Sequence, residues 1–248
     1  MKKTLKILVV DNSRIPKFFG SKSLVQWALK CSPEGSTVIV RRGPDSDLPP
    51  VNTQFDAILL SGSVTSCLEE KEPWVKPYDE FLTHHLKVGT PILGICYGEQ
   101  SIARCLSRIA GQEPQMGKGE HAELGWQTIQ KTAETALLEG LGDTFITYES
   151  HYEEVYSAPP GSRVFAKSER SPVQGFEVIG KPIYGLQFHP EQSIEEAEES
   201  LANKLKKGER KEWILNAGKG AKLYDEQVGN TIFGNFFRIA ASQGLSSA

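Results

Sequence analysis

The sequence predicts an α/β fold with a mostly parallel, open sheet and helices on both faces. Continuous apolar runs, typical of strands buried on both faces, alternate with helical patterns in the first half of the chain. Shorter strand patterns separated by Gly, Pro and charged turns follow, and they indicate a small antiparallel extension. The 248 residues are enough for a sizeable core, and we expect a single domain over residues 1–248.

The first half contains four predicted strands and three predicted helices. The strand patterns are at 5–10, 36–42, 55–63 and 90–96, and the helical patterns are at 23–30, 77–87 and 99–110. This alternation is typical of βαβ units and predicts a flavodoxin-like sheet. Ligands bind such sheets at the carboxyl ends of the strands, where this chain places Gly62 and Cys96.

The second half contains five shorter strand patterns and two helical ones. The strand patterns are at 125–130, 144–159, 162–169, 173–180 and 182–191, and the helical ones are at 194–211 and 231–241. The Glu- and Lys-rich pattern at 194–211 is typical of a solvated surface helix. It opens a predicted inserted helical segment, 194–230, which is a candidate docking element or lid.

Composition excludes several classes of protein. The net charge of −3 argues against a nucleic-acid-binding protein, and no apolar run is long enough to span a membrane. The N-terminus lacks the pattern of a signal peptide. Four cysteines without CxxC spacing argue against a zinc site and a disulfide framework. We therefore expect a cytoplasmic protein with reduced thiols, no metal and no cofactor.

Cys96 lies between two glycines, Gly94 and Gly98, in the segment "PILGICYGEQ". This pattern is typical of a nucleophile elbow, a sharp turn from strand to helix that projects its middle residue into a cleft. Glycine is needed at both flanks because a Cβ atom would clash there. The helix that follows is expected to lower the pKa of the thiol. A buried cysteine with chance glycine neighbours explains the pattern equally well.

A second segment, "YGLQFHPEQ", ends in His189-Pro190-Glu191. Side chains two residues apart on a strand point to the same side, so the acid can hold the histidine in one tautomer. That arrangement predicts a catalytic base with its orienting carboxylate. Taken alone, a turn histidine beside a solvated glutamate is the simpler explanation.

Together these segments closely resemble the class I (triad-type) glutamine amidotransferases, nearest to the glutaminase part of GMP synthetases. "ILLSGS", "GICYGEQ", "ELGW", "ESHYEEV" and "KPIYGLQFHPE" carry the resemblance, which covers residues 5–178 in outline and 184–191 almost word for word. It implies that Cys96 is the nucleophile, His189 the base and acid, and Glu191 the orienting carboxylate. Such enzymes release ammonia from the glutamine side chain through a γ-glutamyl thioester.

The resemblance also implies an oxyanion hole and a substrate site. The backbone N–H of Tyr97 and the turn at Gly62-Ser63 would supply the oxyanion donors. The family's Gly-Gly-Pro turn is replaced here by Gly-Ser-Val, so a Cβ is added and the rigidity of proline is lost.

The resemblance also implies that Gln100 contacts the substrate. The backbone of His151 and Tyr152 aligns with the family segment that binds the α-amino and carboxylate end of the substrate. The family usually has Ser-His-Gly-Asp there, and this chain has Ser-His-Tyr-Glu. Three interpretations of this tyrosine are open: it narrows the pocket, it leans over the pocket, or it indicates a different substrate.

Three hypotheses for the function follow. The first is a glutaminase that supplies ammonia to a separate synthetase subunit, with GMP synthetase the nearest candidate. The second is a stand-alone hydrolase of γ-glutamyl peptides or conjugates with the same triad. The third, a non-catalytic regulatory relative, is the weakest because Cys96, His189 and Glu191 are all present.

Overall fold

A computed structural model describes residues 3–15, 20–69 and 71–243 of the chain. Residues 1–2, 16–19, 70 and 244–248 of the predicted domain lie outside the described residues. The strands are β1 Lys6–Asp11, β2 Thr37–Arg42, β3 Ala57–Leu60, β4 Ile92–Ile95, β5 Met116–Lys131, β6 Thr144–Val155, β7 Ser162–Lys167, β8 Gly175–Val178, β9 Ile183–Leu186 and β10 Ile214–Leu215. The helices are α1 Ser21–Cys31, α2 Val75–Val88, α3 Tyr97–Ile109, α4 Ile194–Lys206, α5 Gly220–Leu223 and α6 Glu226–Ser242.

The parallel part of the sheet has the predicted flavodoxin-like strand order. β2, β1, β3, β4 and β9 lie side by side, and every neighbouring pair among them is parallel. β3, β4 and β9 are buried along their whole length, as their continuous apolar sequences predict. The carboxyl ends of β4 and β9 therefore lie next to each other at one edge of the sheet.

Helices cover both faces of this parallel part. Along β1, Ile7 and Val9 belong to the core on one face, whereas Leu8 and Val10 belong to the core on the other. The first core includes side chains of α1 and α6, and the second includes side chains of α2 and α3. The predicted last helix is confirmed as α6, where Phe233 stacks on Trp27 of α1 with ring centroids 5.2 Å apart.

The antiparallel part is larger than the small extension expected. β5 pairs with β6 and β7, β7 with β8, and β8 with β9, all antiparallel. β5 begins at Met116, well before the strand pattern predicted at 125–130, in a stretch that contains Gly117 and Gly119. The strand is longer than predicted because β5 pairs with β6 along most of its length. The glycines near its start favour a loop locally, and this long-range pairing overrides that preference.

The segment 194–230 contains α4, β10, α5 and the start of α6. α4 begins with a capping box between Ser193 and Glu196 and ends at Lys206, not at 211 as predicted. Gly208, with φ of 77°, stops the helix. Ala197 and Leu201 of α4 are buried in a small cluster with Trp126 of β5, so one face of α4 is packed. Among the described residues, none of the helices has the length and apolar content that crossing a bilayer requires.

Candidate active site

The elbow at Cys96 is a sharp turn between β4 and α3. Cys96 has φ of 50° and ψ of −106°, a conformation that residues with a side chain rarely adopt. A Cβ on Gly94 would lie 2.6 Å from the backbone of Gly98, and one on Gly98 would lie 2.7 Å from Leu60. Both glycines are therefore required by close approach, as the sequence predicts.

The Cys96 thiol lines a cavity of about 180 Å³ at the carboxyl edge of the sheet. Its surroundings disfavour the thiolate. Burial first, then the nearby acids Glu99 and Glu191, raise the pKa of Cys96 to about 12, although the Tyr97 N–H and the Gln187 side chain oppose this. The predicted lowering of this pKa by the helix N-terminus is thus wrong, because burial beside two acids outweighs one N–H contact.

Glu99 is a buried acid within the first turn of α3. Neither of its carboxylate oxygens has a hydrogen-bond partner among the described residues. Burial, with Glu154 nearby, raises the pKa of Glu99 well above its usual range. Glu99 lies inside the motif "GICYGEQ", but nothing in that motif predicts a buried acid beside the cysteine.

His189 and Glu191 follow β9, the neighbour of β4. The strand ends at Leu186, earlier than predicted, and the Leu186 carbonyl accepts a 2.7 Å hydrogen bond from the Cys96 N–H. His189 Nδ1 lies 2.7 Å from Glu191 Oε1, and both residues are buried. The contact is present as predicted, but it forms in the turn after the strand and not by alternation along it, because β9 ends at Leu186. The His189 N–H donates to the Tyr148 carbonyl at 2.9 Å, which fixes the turn against β6.

The cavity and the histidine have different positions around Cys96. Ser63, Gln100, His151 and Tyr152 line the cavity together with Cys96. Among the described residues His189 and Glu191 are not part of that lining; His189 borders a smaller cleft beside Tyr148. Cys96 therefore lines the cavity, whereas His189 follows the neighbouring strand and borders a different cleft.

The turn that contains Gly62 and Ser63 is held by Glu153 of β6. Glu153 accepts a 2.8 Å hydrogen bond from the Cys67 N–H and a further one from the Ser66 hydroxyl. Within the turn, the Thr65 N–H donates to Ser63 Oγ at 3.0 Å. These bonds fix the turn without the proline of the family. Residue patterns around Glu153 do not predict these contacts.

Two of the predicted substrate-binding residues have side chains committed to other partners. Gln100 Nε2 donates to the Glu153 carbonyl at 2.8 Å and to Gln187 Oε1 at 2.9 Å. The Tyr152 hydroxyl donates to Glu209 Oε1 at 2.5 Å, and its ring lies against Trp213. Tyr152 thus leans over the cavity rim toward the segment 194–230 and does not fill the cavity.

The His151 side chain belongs to a buried polar cluster around Glu123. His151 Nε2 lies 3.0 Å from Glu123 Oε2 and 3.5 Å from Glu149 Oε2. Glu123 lies outside the strand predicted at 125–130, but β5 continues through it and pairs it with His151, so its side chain is buried. Although burial raises the pKa of Glu123, its hydrogen bonds, that from His151 foremost, lower it below the usual value.

Glu123, Glu149 and His151 also have the spacing of metal ligands, since one potential ligand atom from each lies within 4.8 Å of the others. Both oxygens of Glu123, however, already accept hydrogen bonds from protein donors. The donors are Gln127, Ser168 and Gln174, at 2.7–2.9 Å. The motifs "ELGW" and "ESH" lie on the paired strands β5 and β6, with Glu123 directly opposite His151.

Comparisons with known proteins point to one family. The family model "Glutamine amidotransferase class-I" matches residues 23–207. The chain is 34% identical over 172 residues to one subunit of the glutamine-hydrolyzing GMP synthase of Pyrococcus abyssi, covering 68% of this chain and 82% of that one. It is 35% identical over 147 residues to the corresponding subunit of Ignicoccus hospitalis, and the match covers 58% of this chain and 70% of that one.

Longer relatives and solved structures extend the comparison. The glutamine-hydrolyzing GMP synthase of Nitrobacter hamburgensis is 32% identical over 189 residues, and the match spans 75% of this chain but 32% of that enzyme. A glutamine amidotransferase structure from Thermotoga maritima superposes with a TM-score of 0.77 at 18% identity, covering 97% of this chain and 99% of that one. At that identity the superposition shows the fold alone. The family-model match and the two GMP synthase relatives from Pyrococcus and Ignicoccus show that the chain belongs to the class-I glutamine amidotransferase family.

Proposed function

We propose that this chain hydrolyses the side-chain amide of glutamine and supplies the ammonia to a separate synthetase subunit. The observation that carries the proposal is the placement of Cys96. It lies at a strained elbow and lines the cavity, and the hydrogen-bonded pair His189–Glu191 follows the adjacent strand. A nucleophile, a base and an orienting acid are thus held at neighbouring strand ends.

Activation of the sulfur requires a base, because the raised pKa keeps the free thiol protonated at neutral pH. Glu191 engages Nδ1 of His189, which leaves Nε2 as the nitrogen that exchanges the proton. In the first half-reaction His189 takes the thiol proton as the sulfur bonds to the amide carbon. His189 then gives that proton to the leaving nitrogen, so that ammonia departs and a γ-glutamyl thioester remains.

Hydrolysis of the thioester repeats the same proton movements. His189 takes a proton from water as the oxygen attacks the thioester carbon. The carbon–sulfur bond breaks, glutamate leaves, and the proton returns to Cys96. In both tetrahedral intermediates the negative oxygen would accept hydrogen bonds from the N–H groups of Tyr97 and Ser63. The Tyr97 N–H already contacts the sulfur, and Ser63 lines the cavity.

The ammonia acceptor is proposed from the names of the relatives. Those that the chain covers most fully carry the name of one subunit of GMP synthase, which denotes one component of a larger enzyme. We propose a partner of the same type, a synthetase that aminates a nucleotide. The predicted cytoplasmic location stays a prediction.

A second candidate, a stand-alone γ-glutamyl peptide or conjugate hydrolase, is favoured by one observation. Tyr152 replaces the family's glycine and packs against Trp213 at the cavity rim, and the changed pocket favours a γ-glutamyl compound other than glutamine. Steady-state assays on the purified chain separate the two candidates. Ammonia release from glutamine that exceeds amine release from γ-glutamyl dipeptides supports the glutaminase; the reverse order supports the peptide hydrolase.

A further inference from the structure

Lys204 is a cation that the inserted segment brings to the cavity. It lies on α4, two residues before the end of that helix, and lines the cavity with Cys96 and Tyr152. Its side chain is partly buried, and its Nζ lies 5.0 Å from the centroid of the Tyr152 ring. A helix that was expected to be a solvated surface element therefore contributes a positive charge beside the candidate nucleophile.

Lys204 lacks an acidic partner within residues 3–15, 20–69 and 71–243. No carboxylate oxygen in those ranges lies within 4.0 Å of Nζ, and the nearby Glu209 instead accepts the hydroxyl of Tyr152. Burial lowers the pKa of Lys204, and the charges of Glu209 and Cys96 oppose that change. A partly buried ammonium is stabilised by an anion that can reach it, and the cavity is the side from which an anion can approach.

We infer that Lys204 binds the carboxylate at the end of the substrate remote from the scissile amide. The inference rests on the proposed function. Tyr152, over whose ring Lys204 lies, is at the position where the family resemblance puts the α-amino and carboxylate end of glutamine. Lys204 thereby restricts the site to amides with a free carboxylate at the far end. A glutamine within a protein chain has none and is excluded.

A different role for Lys204, stabilisation of the Cys96 thiolate, makes different predictions. A residue that acts on the thiolate affects every substrate equally and changes how fast Cys96 reacts with a small neutral alkylating agent. A residue that binds the substrate carboxylate affects only substrates that carry one, chiefly through KM.

The test compares L-glutamine with 4-aminobutanamide, which keeps the amide and the amine but lacks the carboxylate. In the wild-type chain we expect kcat/KM for glutamine to be higher by at least about tenfold. Lys204→Met should lower kcat/KM for glutamine at least about tenfold, mostly through KM, and leave that for 4-aminobutanamide within about twofold. Lys204→Arg should restore part of the loss because it keeps the charge.

Lys206→Met is the matched control, since Lys206 is an exposed lysine of the same helix and is absent from the cavity lining. It should behave as the wild-type chain with both substrates. Equal losses on both substrates in Lys204→Met, no loss on either, or slower alkylation of Cys96 by iodoacetamide would each overturn the assignment.

Binding measured without turnover keeps this inference separate from the proposed hydrolysis. In a Cys96→Ala background, calorimetry should show glutamine binding that Lys204→Met weakens at least about tenfold and Lys206→Met leaves unchanged. That result sustains the assignment even if the wild-type chain proves unable to hydrolyse glutamine, which would end the proposed function alone. Glutamine binding that does not depend on Lys204, or no binding, overturns it.

Discussion

The parallel and antiparallel parts of the sheet contribute to the cavity in different ways. The parallel part positions Cys96 and His189 at the ends of β4 and β9, two buried strands joined by backbone hydrogen bonds. The antiparallel part and the segment 194–230 supply the rim, where Tyr152 and Lys204 are held by side-chain contacts with partly exposed partners. The proposed chemistry therefore depends on rigid backbone, and substrate recognition on contacts that can change without disturbing the fold.

The largest effects should come from the parallel part. His189→Ala should lower kcat by about a thousandfold or more, because it removes the group that takes and returns the proton. Glu191→Gln should lower kcat less, because the imidazole remains and the amide oxygen of the new side chain can still accept a hydrogen bond from Nδ1–H of His189. Steady-state glutamine hydrolysis measures both, and a greater loss in Glu191→Gln than in His189→Ala would contradict the roles assigned.

The buried environment of Cys96 should be visible in its reactivity. Because the pKa is raised to about 12, the thiolate fraction should increase about tenfold per pH unit from pH 7 to pH 10. The rate of iodoacetamide labelling, measured by mass spectrometry on the Cys96 peptide, should increase in proportion. A rate that levels off between pH 7 and pH 8 would mean that the helix N-terminus stabilises a thiolate after all.

The elbow should tolerate no side chain at Gly98. An alanine Cβ there would lie 2.7 Å from Leu60, and overpacking of this kind costs roughly 1–3 kcal/mol in free energy of unfolding. Gly234 in α6 is the matched control, because a Cβ on it has no neighbour within 4 Å. Gly234→Ala should be neutral or stabilising by up to about 1 kcal/mol. Urea denaturation of both variants tests this, and equal stabilities would show that the close approach at the elbow is not required.

The smallest effect is expected at the rim. Tyr152→Phe removes the hydroxyl that donates to Glu209 but keeps the ring that contacts Trp213 and Lys204. We expect less than about 1 kcal/mol of lost stability and less than about a threefold change in KM for glutamine. A loss of activity comparable to that of His189→Ala would show that the rim takes part in catalysis. The parallel and antiparallel parts would then not differ in the way described.

The parallel part could be predicted because its signals are local. An apolar run followed by Gly-x-Cys-x-Gly specifies a buried strand, a sharp turn and the residue at its tip within a few positions. The spacing of His189 and Glu191 similarly predicts their contact, which is present. Family resemblance then connects the two segments, and the parallel pairing of β4 with β9 places them side by side.

The remainder depends on contacts between residues far apart in the sequence. Glu123 is buried only because β5 pairs with β6 and brings His151 opposite it. Lys204 reaches the cavity because α4 packs against Trp126 through its apolar face, which a charged composition conceals. The pKa of Cys96 reflects burial and two acids, Glu99 and Glu191, one of them from another strand end. None of these follows from the spacing of residues within one segment.

The most direct test of the central claim is to trap the intermediate on Cys96. The purified chain is incubated with L-glutamine, quenched in acid, digested and analysed by mass spectrometry. We expect one glutamyl group on the Cys96 peptide, none on those of Cys31, Cys67 or Cys105, and no glutamine hydrolysis by a folded Cys96→Ala variant. Hydrolysis that persists in Cys96→Ala, or a glutamyl group on another cysteine, would contradict the account.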